Sequence, residues 1–199
     1  HRDLHSFPTR RSSDLAFPIL IVFTARRGNT AGMVGTIVFA TTMVLLYFSS
    51  TLFHSFTEGK AKRVFQILDH TSIFFLIAGT YTPFTMGVLR GGWGWTLFGI
   101  IWGLAILGTV MKAIGGLKGA KASVLIYLSM GWLIVIAAKP TYTLMPKWGL
   151  FWLFAGGISY TAGVVFYAAE RIKYFHFVWH IFVVIGTTCH FFAVLWYSM

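Results

Sequence analysis

Six stretches of the chain contain almost no charged residues, and each is long enough to cross a lipid bilayer. They cover residues 28–57, 64–89, 91–111, 122–138, 148–169 and 174–199, and Asp69 is the one charged residue inside them. A helix needs roughly 17 to 25 mostly apolar residues to span the hydrocarbon core. No strand-like alternation of polar and apolar residues breaks these stretches. The pattern therefore predicts an all-α integral membrane protein.

A shorter apolar segment precedes the six stretches. Residues 16–25 read AFPILIVFTA and resemble the second half of a helix whose beginning is missing. Counting this segment predicts a seven-transmembrane helical bundle with a truncated first helix. No Pro- or Ser-rich linker follows it, so residues 16–199 are expected to form a single domain.

Residues 1–15 differ from the rest of the chain. They read HRDLHSFPTRRSSDL, with five charged residues and no apolar period. The string DLHSFPTRRSSDL resembles one reading frame of a common sequencing-library adapter. We therefore expect residues 1–15 to be a non-native, adapter-derived tail and the native N-terminus to be missing, and we exclude them from fold reasoning.

The composition agrees with a membrane location. Hydrophobic residues make up 57% of the chain and charged residues 11%, with a mean hydropathy of +0.74. Soluble domains are about 45–50% apolar and about 25% charged. These values exclude a soluble enzyme, a disordered segment and, because Cys189 is the single cysteine, a disulfide scaffold.

The net charge of +11 indicates membrane topology rather than nucleic-acid binding. We number the spans from the short segment 16–25 as span 1 to residues 174–199 as span 7. The loops after spans 2, 4 and 6 carry eight Lys and Arg residues, and those after spans 1, 3 and 5 carry five. Basic residues concentrate in cytoplasmic loops. The sequence thus predicts a multi-pass protein of the plasma or inner membrane, with its N-terminus inside, its C-terminus outside and membrane lipids as partners. Glycines between Gly91 and Gly103 indicate close helix contacts.

Ionisable residues inside spans are costly and mark functional sites by default. The predicted topology places His54 at the cytoplasmic end of span 2 and Asp69 near the cytoplasmic start of span 3. His176 and His180 lie at the cytoplasmic start of span 7. All four residues are therefore expected at one membrane depth, on three helices.

Histidines four residues apart share one helix face and can bind one metal ion. His54 can supply a third nitrogen to His176 and His180, which gives the three-ligand pattern of catalytic zinc. Asp69 can then hold or deprotonate a water molecule at the metal, and Ser50, one turn before His54, can hydrogen-bond in the site. The alternatives are histidines at headgroup level, a charge pair of Asp69 with Lys62 or Arg63, and a Ser50 bonded to its own helix.

The other polar residues and the prolines of the spans are not expected to bind the metal. His70 points about 100° away from Asp69 around the helix, and His190 lies about 21 Å beyond His176 by helix rise. We interpret His70 as a supporting or interfacial residue and His190 as a hydrogen-bonded interior histidine. Pro83 is expected to kink span 3, with Thr80, Tyr81 and Thr82 satisfying the freed carbonyl, and Pro140 and Pro146 are expected in an outer loop.

Three motifs carry a family resemblance. The segments SSTLFHSF (49–56), LDHTSIFFLIAGTYTPF (68–84) and HFVWHIFVVIGTTCHFFAV (176–194) resemble the hemolysin III family, within the progestin and adipoQ receptor group. The segments GGWGWTLFGIIWGLAILG (91–108) and MGWLIVIAAKP (130–140) fit the same family. The resemblance extends over nearly all of residues 16–199. The N-terminal family motif with Glu, Asn and His is absent from this sequence.

The resemblance implies an intramembrane zinc site. Its ligands would be His54, His176 and His180, with Asp69 engaging the water molecule at the metal and Ser50 lining the site. The wider group suggests zinc-dependent hydrolysis of a lipid amide such as ceramide. The family name suggests a pore-forming cytolysin, although apolar helices make a poor aqueous channel. A non-catalytic receptor or stress sensor is a third class.

Retinal and haem are the alternatives to zinc as the bound cofactor. A retinal protein is disfavoured because residues 174–199 contain no Lys for a Schiff base. A bis-histidine haem is conceivable if His54 and His180 face each other, but the neighbouring Asp69 and a location at the membrane edge favour zinc.

Overall fold

The computed structural model describes residues 18–22, 24, 26, 30–117, 120–169 and 172–198, with the side chains of residues 120 and 121 left aside. Within these residues the chain is helical and contains no strand, so the predicted all-α class is confirmed. The predicted tail at residues 1–15 lies outside the described residues, and its origin stays a prediction.

Five long helices and one interrupted helix are long and apolar enough to cross a membrane. The long helices are α1 (Thr30–Ser55), α2 (Lys60–Pro83), α3 (Gly92–Ala113), α6 (Lys147–Ala168) and α7 (Phe175–Tyr197). The interrupted one consists of α4 (Ala120–Gly131), a 3₁₀ segment (Leu133–Ala137) and α5 (Ala138–Leu144). Residues 18–22 and 24 are also helical. The seven-helix count and the orientation in the membrane stay predictions.

The interruption between α4 and α5 corrects the predicted fifth span. Residues 122–138 were expected as one continuous helix followed by a loop with Pro140, yet Pro140 lies inside α5. It is the third residue of that helix, in the first turn, where the backbone N–H that proline lacks has no intrahelical partner. Pro146 immediately precedes α6, so of these two prolines Pro146 alone lies in the connection between helices.

Pro83 perturbs α2 as predicted. The helix passes at this residue into a π-helical turn over Phe84–Val88. The neighbouring hydroxyls act differently from the expectation, because Thr80 and Thr82 bond the carbonyls of Leu76 and Ala78, each four residues back. The Tyr81 hydroxyl instead leaves its helix and donates to the Gly131 carbonyl at 2.8 Å, where α4 ends.

Glycines allow helices to approach closely, but mostly at positions other than those predicted. Between Gly91 and Gly103, a Cβ atom would meet other atoms within 4 Å only at Gly94, against the Thr85 carbonyl. Close contacts occur instead at Gly35, against Pro83, and at Gly156, against the ring of His190. Small residues therefore bring together α1 with α2 and α6 with α7, and α1, α2 and α7 carry the predicted site residues.

Candidate metal centre

Three helix ends carry the predicted site residues. Ser50 and His54 lie in the last two turns of α1, Asp69 lies in the first half of α2, and His176 and His180 lie in the first two turns of α7. The tight connection from α1 to α2 turns at Gly59, whose φ of 146° favours glycine. This turn returns the chain so that Asp69 faces the end of α1.

The imidazoles of His54, His176 and His180 converge, and we call them the three-histidine cluster. Their ligand nitrogens all lie within 4.8 Å of one another. The Nε2 atoms of His176 and His180 are 3.1 Å apart. The His54 ring centroid lies 5.5 Å from that of His176 and 5.3 Å from that of His180, and His54 Nε2 is buried.

This donor set fits a zinc ion. Tetrahedral zinc with Zn–N distances near 2.0–2.1 Å requires ligand nitrogens about 3.3 Å apart. The 3.1 Å separation of the His176 and His180 Nε2 atoms is close to this value. His54 is near enough to become the third ligand after a small ring rotation. A site with three imidazoles leaves one tetrahedral position for water or substrate.

Asp69 lies beside the cluster rather than within it. The group of candidate ligands among the described residues contains the three histidines and no carboxylate. The Asp69 carboxyl group is paired with the Ser50 hydroxyl, and Ser50 precedes His54 by one helical turn on α1. This pairing fits the predicted place of Ser50 in the site, and its role stays a prediction.

Aromatic side chains from α6 and α7 surround the histidines. The Tyr167 ring lies 6.5 Å from the His176 ring and 5.2 Å from the Trp179 ring. Tyr167 and Trp179 also line a cavity of about 120 Å³ that is partly open to the surface. The cavity extends between α2, α4, α6 and α7 as far as His190, and its lining is almost entirely apolar.

The remaining polar candidates lie outside the cluster. The His70 ring packs 6.4 Å from that of Phe53, and its backbone carbonyl accepts a hydrogen bond from Tyr127, which fits a supporting role. His190 hydrogen-bonds the Leu153 carbonyl at 3.2 Å, so the interior interpretation is confirmed. Tyr167 was not among the predicted site residues, because an aromatic residue near the end of an apolar span carries no distinguishing signal in the sequence.

The described residues are helical, six of their helices are long and apolar enough to cross a membrane, and three histidines gather at helix ends, which defines a multi-pass membrane protein. The family model described as "Haemolysin-III related" matches residues 5–191. The chain therefore belongs to the haemolysin-III related family, as its motifs indicated, and it is a protein of the cell membrane.

Curated relatives support this assignment. The chain is 45% identical over 184 residues to "Hemolysin-3" of Bacillus cereus, covering 92% of this chain and 84% of the relative. It is 44% identical over 184 residues to "Hemolysin-3 homolog" of Bacillus subtilis (strain 168), covering 92% and 86%. "Monocyte to macrophage differentiation factor" of Homo sapiens is 30% identical over 162 residues, covering 75% and 64%. No solved structure matches the chain.

Proposed function

We propose that this chain is a zinc-dependent hydrolase of membrane lipid amides, with ceramide-like amides as the substrate class. The observation that carries the proposal is the convergence of three imidazoles beside a carboxyl group that is paired with a serine hydroxyl, next to an apolar cavity. Each part alone has a structural explanation. Together they supply metal ligands, a proton acceptor and space for a lipid chain.

Zinc is the metal that the donor set favours. Three neutral imidazoles suit borderline-soft metals, whereas Mg²⁺ and Ca²⁺ prefer oxygen ligands. A zinc ion held by the three-histidine cluster would polarise an amide carbonyl and make a water molecule acidic enough to attack it near neutral pH. The ring centroids of the three histidines lie 4.7–5.5 Å apart, which suits three imidazoles that share one metal ion.

Asp69 is the proposed proton carrier. One of its carboxylate oxygens would accept a proton from the attacking water and return a proton to the leaving amine nitrogen. Ser50 would orient this carboxylate by donating a hydrogen bond to it, so that the other oxygen faces the reacting groups. Ser50 is thus a positioning residue, and Asp69 is the proposed catalytic residue.

The cavity is the proposed location of the lipid chain. Tyr167 and Trp179 lie at its boundary with the cluster, so a carbonyl at the cluster can continue into a chain between α4, α6 and α7. The apolar lining favours hydrocarbon and excludes water from the path of the chain. A carbonyl bound in this way would be held next to the ligands and Asp69.

Metal content is the first test. Purified wild-type protein is expected to contain about one zinc per chain by mass spectrometry, in line with one three-ligand site. The variant His176→Ala/His180→Ala, which we call the double-histidine variant, is expected to lose it. His190→Gln is the matched control, because it removes an imidazole from the same helix away from the cluster, and it should retain zinc. Wild type without zinc, or a double-histidine variant that still binds it, would overturn the site.

Turnover is the second test. Asp69→Asn is expected to retain zinc and to lower hydrolysis of a ceramide-like amide at least about a hundredfold, the usual scale of a general base. Ser50→Ala should lower kcat by a smaller factor with little change in KM. An Asp69→Asn protein that retains zinc and hydrolyses the amide at the wild-type rate would exclude the proposed role.

Pore formation is the second candidate, and the names of the two Bacillus relatives favour it. The structure offers it little support, because the cavity between the described helices is lined by apolar side chains rather than by the polar side chains of an aqueous channel. Dye release from vesicles separates the candidates. Release that persists in Asp69→Asn and the double-histidine variant, without lipid consumption, would favour the pore.

A further inference from the structure

The cavity is also lined by a buried histidine that lies away from the three-histidine cluster. His190 lies ten residues after His180 on α7, or about 15 Å further along the helix axis. Its side chain lines the cavity and is 6% exposed. Its ring lies against Gly156 of α6, where a larger residue would collide with it.

The hydrogen bonds of His190 define which nitrogen carries the proton. Its Nε2 atom lies 3.2 Å from the Leu153 carbonyl oxygen, which can only accept, so Nε2 is the donor. A neutral imidazole then has a lone pair and no hydrogen at Nδ1. Nδ1 is buried and has no hydrogen-bond partner. Among the cavity-lining residues that the structure describes, it is the one buried side-chain nitrogen or oxygen in that condition.

The neighbouring hydroxyls have no hydrogen to spare for Nδ1. Thr187 donates to the Val183 carbonyl at 2.9 Å, so its oxygen must accept from Tyr160, 2.8 Å away. The Tyr160 ring packs 5.4 Å from the His190 ring, yet its hydroxyl hydrogen points elsewhere.

We propose that His190 Nδ1 is a binding site for a hydroxyl group carried in the middle of a lipid chain that occupies the cavity. The group must be a hydrogen-bond donor, because the available protein atom is an acceptor. A carbonyl or carboxylate oxygen would face a lone pair, and an unsubstituted chain would leave Nδ1 unpaired at a cost in affinity. The apolar lining around His190 favours the hydrocarbon on both sides of the hydroxyl.

This inference goes beyond the proposed hydrolysis, since His190 is not part of the three-histidine cluster. It defines a chain preference that binding alone can measure, with or without turnover. The separation of about 15 Å along α7 places the recognised hydroxyl far from the polar head of the lipid. A hydroxyl next to the head group would not reach His190.

Competition binding tests the site. Purified wild-type protein in detergent is loaded with radiolabelled octadecanoic acid, and unlabelled octadecanoic, 12-hydroxyoctadecanoic and 2-hydroxyoctadecanoic acids compete for it. We expect the mid-chain hydroxyl acid to bind about fivefold to tenfold more tightly than octadecanoic acid, the effect of one buried hydrogen bond. The 2-hydroxy acid should bind like the unsubstituted one.

Two substitutions at His190 test the roles of its two ring nitrogens separately. His190→Gln keeps a donor for the Leu153 carbonyl but lacks an acceptor at the Nδ1 position, and it should lose the preference. His190→Asn places an amide oxygen near the Nδ1 position and should retain a preference of at least about twofold. Tyr142→Phe, at a site 71% exposed, is the control and should bind all three acids as the wild type does.

The unsubstituted acid reports whether each variant still forms the cavity. A variant is compared only if its affinity for octadecanoic acid stays within about twofold of the wild-type value. Wild type without a preference, an equal preference for the 2-hydroxy acid, or an unchanged preference in His190→Gln would each overturn the proposal. Loss of zinc in the double-histidine variant would leave the preference intact, so the two proposals fail independently.

Discussion

Tyr81 replaces the backbone partners that are lost where the span between α4 and α5 is interrupted. Its hydroxyl donates to the Gly131 carbonyl at 2.8 Å and accepts from the Ile134 N–H at 2.9 Å. The side chain is only 8% exposed, so water has little access to this bridge. Backbone groups within a membrane protein must be satisfied internally. We therefore predict that Tyr81→Phe destabilises the protein even though the ring is retained.

The two hydrogen bonds set the magnitude. Removing the hydroxyl leaves a buried donor and a buried acceptor without partners, and each costs about 1–3 kcal/mol, less whatever local relaxation recovers. Tyr81→Phe should lower the free energy of unfolding by about 2–4 kcal/mol. The loss of a pure packing contact would be much smaller, because no carbon atom is removed.

Unfolding in mixed micelles with increasing SDS, followed by tryptophan fluorescence, measures this difference. Tyr142→Phe is the matched control, since it removes the same atom from a side chain that is 71% exposed. The control should change the free energy of unfolding by less than about 0.5 kcal/mol. A Tyr81→Phe protein as stable as this control would refute the reasoning that the hydroxyl bridges the break.

Three further predictions concern packing and metal binding. Gly35→Ala places a Cβ atom 2.6 Å from the Pro83 Cα atom and should lower the free energy of unfolding by about 1–3 kcal/mol. Gly99→Ala is the control, because its Cβ atom would meet no other atom within 4 Å, and it should be neutral or slightly stabilising in the same assay. Thr161→Val removes the acceptor of the 3.1 Å hydrogen bond from Trp132 Nε1 and should lower the free energy of unfolding by about 1 kcal/mol. If the same substitution lowers it equally in a Trp132→Phe background, the hydrogen bond contributes nothing to stability. Treatment with a strong chelator should lower the melting temperature of the wild type and leave the double-histidine variant unchanged, because a ligand stabilises only the state that binds it; equal shifts in both proteins would count against a metal in the three-histidine cluster.

Much of the fold was predictable because lipid imposes a simple rule on sequence. A spanning segment must be long, apolar and helical, so charge-free stretches alone located the helices to within a few residues. The errors occur where length and hydropathy do not distinguish one structure from another. Hydropathy did not detect the interruption after Gly131, because residues 131–137 are as apolar as a regular helix and the break is repaired by Tyr81 from another element.

The site was predictable for a related reason. Ionisable residues are rare inside spans, so His54, Asp69, His176 and His180 were conspicuous, and topology placed them at one depth. The sequence did not reveal the pairing of Ser50 with Asp69, nor the approach of Tyr167 to His176. These contacts depend on the rotation of each helix about its axis, and a hydropathy pattern constrains that rotation only loosely.

The sequence by itself determined that this chain is an all-helical membrane protein of the haemolysin-III related family with histidines on helices distant in sequence. Only the tertiary structure decided that three of those imidazoles meet within 4.8 Å, while His190 instead faces an apolar cavity. The physical reason is that burial of apolar side chains in lipid depends on composition and length, which are local. The meeting of nitrogens depends on close helix approach at small residues such as Gly156, which only the packed bundle defines.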